Sequence, residues 1–320
     1  MMDKELERRA ALISNAIEEM LPVVHPRGLY EAGRHLVDSG GKRLRPSMLL
    51  LAAEAAGGEP ASFAPAAVSI ELIHNFTLIH DDIMDNADVR RGRPAVHKIW
   101  GVSGAILAGD TLYSKAFQVL GKTPARPEQI LGAMNVLSGT CTAICEGQWL
   151  DMEFEKRTQV SEDEYMEMIE KKTGVLYGAA ASMGALLVGA EPKVVSAMDE
   201  FGRLTGMGFQ LQDDVIDLTA SKKVSGKRQG GDLIEGKKTL IMIHALANGV
   251  KVDVFGCKDA GEEEITRSIS VLEKSGSIEY ARSRAEEMVL RGKKALRVLP
   301  DSEAKGLMLE LADYMIRRGH

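Results

Sequence analysis

Two stretches of this sequence share the pattern D-D-x-x-D: Asp81-Asp82-Ile83-Met84-Asp85 and Asp213-Asp214-Val215-Ile216-Asp217, 132 residues apart. On a helix, the first and last aspartates of each pattern stand i,i+4 and share a face, roughly 6 Å apart. Like charges so placed repel and destabilise an isolated helix. A hard divalent cation is their natural partner, because carboxylate oxygen suits Mg²⁺. Mg²⁺ keeps several waters and takes one or two carboxylates plus substrate phosphate. Two such helices facing one cavity would hold Mg²⁺ around a diphosphate and make it a leaving group. A single copy reads equally well as a solvated acidic face. Two copies, each after an apolar run such as Phe76-Thr77-Leu78-Ile79 or Phe209-Gln210-Leu211, do not. Glu71-Leu72-Ile73-His74 supplies one Glu-x-x-His of a di-iron bundle, but its second copy is missing.

A diphosphate also needs cations from the protein, and three basic groups lie beside turns. They are Gly40-Gly41-Lys42-Arg43-Leu44-Arg45-Pro46, Arg90-Arg91-Gly92-Arg93, and the run from Gly226 to Thr239 that holds Lys227, Lys237 and Lys238. The last two follow the acidic patterns closely. Arg forks match phosphate oxygens and Lys acts as a point charge. Any one group reads as an exposed basic loop; three together are better explained by two diphosphate pockets. The P-loop pattern is absent, since Lys238 rather than Ser or Thr follows Gly236-Lys237.

The elements that must carry these residues are helical. Leu6, Ala10, Leu12, Ile13, Ile17 and Met20 keep a period near 3.6, as do Ala281, Ala285, Met288, Val289 and Leu296. No alternating run is long enough for a sheet. No Ser/Gly/Pro-rich linker divides the 320 residues, so a single domain over 1–320 is expected. The net charge of −6 argues against a nucleic-acid partner. The longest apolar run, Val175 to Ala190, falls short of the about 20 residues a span needs, and reads as a buried helix with close packing at its small residues. The N-terminus is charged from the start and lacks a signal h-region. Three cysteines, Cys141, Cys145 and Cys257, cannot all pair with one another. Both features point to the cytoplasm.

Five separated motifs then occur in one order: G-G-K-R-x-R-P, D-D-I-M-D-N-A-D-x-R-R-G, K-T-G, F-Q-L-Q-D-D-x-x-D and G-K-x-x-G-x-D-L-x-x-G-K-x-T. Together they resemble the trans-isoprenyl diphosphate synthase family, the farnesyl and geranylgeranyl diphosphate synthases. The resemblance implies the type I isoprenoid synthase fold, a bundle of antiparallel helices around a central cavity. It implies a prenyltransferase that joins isopentenyl diphosphate to an allylic diphosphate with three Mg²⁺ ions, acting as a homodimer. Lys42, Arg45, His74 and Arg91 resemble the isopentenyl diphosphate contacts. Asp81 and Asp85 look like ligands of two Mg²⁺ ions and Asp213 of a third. Asp82, Asp214 and Asp217 would support them through water or hydrogen bonds. Arg90, Lys172, Lys227 and Lys237 look like contacts to the allylic diphosphate, with Thr173 and Gln210 near the reacting carbons. Gln148 and Asp151 lie in a similar family motif that assigns them no role.

Product length is the finest reading. Phe76 stands five residues before Asp81, about 7.5 Å deeper along the helix, and Thr77 is small. In the family, bulky residues at these positions floor the tunnel for the growing chain. One aromatic with a small neighbour resembles the geranylgeranyl (C20) pattern, and two aromatics the farnesyl (C15) pattern. Phe76 is otherwise ordinary core. A terpene cyclase would not need Lys42, Arg45 and Arg91. A non-catalytic partner subunit would be expected to lack aspartates that are intact here.

Overall fold

The computed structural model describes residues 2–220 and 229–317. Among them every element is helical except one hairpin of two-residue strands, so the chain is all-α. It divides into two compact units. The first comprises Met1–Cys141, Ala179–Asp199 and Val298–Met308; the second comprises Thr142–Gly178, Glu200–Arg297 and Leu309–His320.

In the first unit, α1 (Met2–Met20), α2 (Arg27–Val37) and α3 (Leu44–Ala55) precede a 3₁₀ turn at Pro60–Phe63 and α4 (Ala64–Met84). Pro65 opens α4, where its missing N–H costs nothing. Most of α4 is core, with Ala66, Val68, Ile70, Leu72 and Ile73 all fully buried. The segment Pro60–Met84 is long and apolar enough to cross a membrane by composition, but 72% of its window is buried inside the protein. The helix packs along α5 (Val96–Leu120), and α1 and α3 lie against it too. Gly101, with φ 72°, breaks the regular turn of α5. Between α4 and α5 stands the hairpin, β1 (Val89–Arg90) with antiparallel β2 (Arg93–Pro94). Its two turn residues, Arg91 (φ 52°) and Gly92 (φ 73°), are both left-handed, as a tight two-residue hairpin loop requires. Period-2 patterning cannot reveal strands this short, so the sheet-free expectation missed them. The run from Val175 enters α8 (Val175–Val188), and its core residues Ala180, Ala181, Met183 and Ala185 are fully buried. At Gly184 this helix meets α3 so closely that a Cβ would sit 2.9 Å from Ala53 N. The small residues therefore provide the close packing expected of them.

In the second unit, α6 (Pro127–Lys156) contributes its C-terminal part and α9 (Pro192–Thr219) most of its length. α7 (Glu162–Ile169) starts on a capping box: Glu164 N donates to Ser161 Oγ, and Ser161 N donates to Glu164 Oε2 at 2.9 Å. It runs into a π-helical turn, Glu170–Gly174, before α8. Short α10 (Gly231–Glu235) is followed by α11 (Leu240–Ala247), α12 (Glu262–Lys274) and α13 (Ser277–Ala295), and α14 (Glu303–Ile316) belongs to this unit from Leu309 on. Leu211, Val215, Leu240, Ile241, Leu272, Ala281 and Ala285 form the fully buried centre of this unit. None of the three cysteines is in a disulfide.

Candidate active site

Each acidic pattern sits at the C-terminal end of its helix. Asp81 and Asp82 are in the last turn of α4 with Asp85 as its C-cap, and Asp213, Asp214 and Asp217 lie in the last two turns of α9. Neither helix has a basic residue in its last turn. The negative end of the helix dipole therefore adds to the repulsion among the carboxylates. A cation removes both penalties, which is the physical reason to read these ends as metal sites.

In the first unit the basic residues gather on His74. Residues 40–43 have positive φ at Gly40, Gly41 and Arg43, and this loop wraps the Arg91 guanidinium. Arg91 Nη1 donates to Gly40 O at 2.6 Å, and a Cβ on Gly41 would lie 3.3 Å from Arg91 Cζ. Arg45 Nη1 approaches His74 Nε2 at 3.3 Å. Guanidinium only donates, so Nε2 accepts and His74 is neutral. Burial, then Arg45, Arg91, Arg43 and Arg90, hold the imidazole well below its ordinary value. A depressed His pKa makes protonation favour the unfolded chain. This contribution to stability is present above about pH 6.5 and is lost as pH falls below it. We expect the unfolding free energy of the wild type to drop between pH 7 and 5. The drop should be shallower in His74→Gln, measured by urea titration at each pH.

Arg43, inside the same basic motif, has another task. It is buried and paired with Glu71, which also accepts from Asn75 Nδ2 at 2.8 Å. Glu71 is therefore occupied by Arg43 and Asn75. Lys42 is exposed beside this loop. Arg90 binds Asp82 Oδ1, with Nε at 2.7 Å. Asp82 is 1% exposed, and its Oδ2 is buried without a hydrogen-bond partner among the described residues. This orphaned carboxylate oxygen beside Asp81 leaves buried negative charge that a nearby bound cation would offset. Phe76 packs edge-on to His80 and, with ring centroids 5.3 Å apart, against Tyr113 of α5; Tyr113 in turn packs on Phe117. Thr77 turns its hydroxyl back to His74 O at 2.8 Å.

In the second unit, Lys172 and Thr173 lie on the π turn. α6 comes so close that Gly147 faces the Lys172 backbone with no room for a Cβ. Lys172 Nζ meets Asp151 Oδ2 at 2.5 Å, a partner that the motif alone did not indicate. Thr173 Oγ1 donates to Gln210 Oε1 at 3.1 Å, and Gln210 Nε2 donates to Asp214 Oδ1 at 3.0 Å. Tyr165, which sequence reasoning missed, donates its hydroxyl to Asp214 Oδ2. Burial first, then the Asp232 charge, raises the Asp214 carboxyl well above its usual range, against the pull of Tyr165 and Gln210. Asp217 Oδ2 accepts from Asp232 N at 3.1 Å and so ties down the start of α10. Lys237 lies 3.2 Å from Asp232 and 3.3 Å from Glu235. Burial alone would lower its pKa, but these carboxylates raise it above its ordinary value, so it stays cationic. Lys227 lies outside the described residues, as do residues 318–320. Gln148 is buried on α6.

Among the described residues no three His, Cys, Asp or Glu side chains form a cation cage by themselves.

A polyprenyl synthetase family model matches residues 26–269. The chain is 56% identical over 314 residues to a geranylgeranyl diphosphate synthase of Methanosarcina mazei, covering 98% of this chain and 97% of that one. A solved geranylgeranyl pyrophosphate synthetase from the archaeon Geoglobus acetivorans superposes with a TM-score of 0.94 at 46% identity, covering 98% and 99%. A polyprenyl synthase from Caulobacter crescentus, solved with calcium and isoprenyl diphosphate, superposes at 0.89 and 29% identity, covering 100% and 98%. The chain belongs to the polyprenyl synthetase family, as a short-chain trans-isoprenyl diphosphate synthase. It is an enzyme of the prenyltransferase class.

Proposed function

We propose that this chain condenses isopentenyl diphosphate with an allylic diphosphate using three Mg²⁺ ions, and that its product is geranylgeranyl diphosphate. The observation that carries this reading is the repeated D-D-x-x-D at a helix C-terminus, where a bound divalent cation would offset the carboxylate charge and the helix dipole together. When bound, Mg²⁺ would polarise the diphosphate as a leaving group, held by Asp81, Asp85 and Asp213. Arg90, Lys172, Lys227 and Lys237 bind the allylic diphosphate, and Lys42, Arg45, His74 and Arg91 bind isopentenyl diphosphate. The allylic C–O bond breaks with its electron pair leaving on the diphosphate. The double bond of isopentenyl diphosphate attacks the allylic carbon, and the proton lost next goes to the released diphosphate. Thr173 and Gln210 lie beside the reacting carbons. No protein nucleophile is needed; charge placement and water exclusion are the protein's contribution.

The same reading has one catalytic domain per chain and a homodimer in the cytoplasm. Exposed Val102, Ile106 and Leu107, on one face of α5 after its break at Gly101, support a self-association surface. Purified protein given labelled isopentenyl diphosphate, an allylic primer and Mg²⁺ should turn over alone and stop with EDTA. No turnover alone, with activity restored by a second synthase, would instead favour a regulatory subunit. A cyclised product would favour a terpene cyclase.

Phe76 is the proposed floor, and Tyr113 and Phe117 extend it with two more rings. Phe76→Ala should shift extracted products from C20 toward C25 and longer, and Phe76→Ala with Tyr113→Ala should shift them further. An unchanged product length in both would remove the floor role.

A further inference from the structure

Asp214 is the buried member of the second acidic pattern, at 6% exposure, and both of its oxygens are taken by protein donors. Gln210 Nε2 holds Oδ1 at 3.0 Å, and the hydroxyl of Tyr165, itself 2% exposed, holds Oδ2. An amide that gives its NH₂ to a carboxylate must turn its carbonyl the other way. Gln210 Oε1 accordingly accepts from Thr173 Oγ1 at 3.1 Å. Both Asp214 oxygens accept, Oδ2 from the Tyr165 hydroxyl and Oδ1 from Gln210, so a flipped amide would set oxygen against oxygen, and Asp214 fixes which Gln210 atom faces Thr173. Tyr165 fixes Asp214 in turn, because its hydroxyl stops the carboxylate from rotating away from Gln210. Tyr165 and Thr173 stand at the two ends of one stretch of α7 and π turn. The hydrogen-bond chain closes across the π turn.

We propose that Tyr165 is a positioning residue for the prenyl transfer: through Asp214 it locks the Gln210 amide in the orientation that presents its oxygen beside Thr173. The inference rests on the reading of the site given above. It assigns Asp214 to organising neighbours and leaves Asp213, one residue earlier, to face the metal. Loss of such a supporting partner typically costs about 10- to 100-fold in activity.

Tyr165→Phe removes only the hydroxyl. Its kcat should fall about 10- to 100-fold, while KM for isopentenyl diphosphate stays within about twofold of the wild type. If the effect passes through Gln210, Tyr165→Phe and Thr173→Val are non-additive, and the double variant is about as slow as the slower single. Tyr280→Phe loses a hydroxyl bonded to Glu162 at 2.7 Å, away from this chain of bonds, and should keep the wild-type kcat. Should Tyr165→Phe fail to fold, the pair Asp214→Asn and Asp214→Asn/Tyr165→Phe isolates the same hydroxyl without a buried unpaired charge, and the same fold-loss is expected between them. A kcat within twofold of the matching parent, or losses that multiply in the double variant, overturns the proposal. A wild type without turnover would remove the reading of the site and this inference together. An active wild type with a full-rate Tyr165→Phe removes the inference alone.

Discussion

Asp81→Asn should lower kcat by on the order of 10³-fold, which corresponds to about 4 kcal/mol of transition-state stabilisation. Asp213→Asn should do the same. An amide keeps the size of the side chain but donates where the metal needs a negative oxygen. The apparent Mg²⁺ requirement should rise alongside. Metal-free stability is expected to move the other way. Asp85 is exposed at the C-cap of α4, where dipole and neighbouring carboxylates both disfavour it. Asp85→Asn should therefore raise the unfolding free energy by roughly 0.3–1 kcal/mol without metal, while turnover collapses. Asp82 serves differently, since its Oδ1 is held by Arg90. Asp82→Asn keeps an oxygen for that bond, so its loss of kcat should be smaller than that of Asp81→Asn. The measurements are steady-state rates across a Mg²⁺ titration and urea unfolding in EDTA. Near wild-type rates for Asp81→Asn and Asp213→Asn at saturating Mg²⁺ would end the metal reading of both motifs.

What the sequence makes legible is what sits on one element. The spacing of Asp81 and Asp85, the turn chemistry of Gly40-Gly41 and the apolar period of the helices are local, so reading them needs no knowledge of the third dimension. The partners of the same residues are not local. Arg43 finds Glu71 28 residues on, Lys172 finds Asp151 21 residues back, and Asp214 finds Tyr165 49 residues back. Nothing in the spacing of Tyr165 sets it apart from another aromatic on a helix. The π turn is equally hidden, because K-K-T-G has no propensity that distinguishes a five-residue turn from an α turn. The basic motif also looked uniform, yet Arg43 is structural whereas Arg45 reaches His74, a division that burial alone decides.

Glu71→Ala should destabilise the protein by about 3–5 kcal/mol, because it strands the buried Arg43 guanidinium. Glu71 is 2% exposed and Arg43 7%. Arg43 Nη2 still has Val37 O at 2.6 Å, but a carbonyl does not neutralise a cation. Asn75 loses its contact with the Glu71 side chain as well. Replacing both partners at once has a different outcome. Arg43→Met with Glu71→Leu removes both charges from a site that water does not reach, and should recover most of the stability. The double variant should still suffer in function. Arg43 holds the left-handed position, φ 47°, that starts α3 and sets Lys42 and Arg45 on either side of it. Loss of the anchor to Val37 O frees that loop, so KM for isopentenyl diphosphate should rise by about tenfold while kcat changes little. Urea denaturation of the two singles and the double gives the coupling energy directly. A Glu71→Ala variant as stable as the wild type would mean that water or another group compensates Arg43, and would break the link between this pair and the loop it anchors.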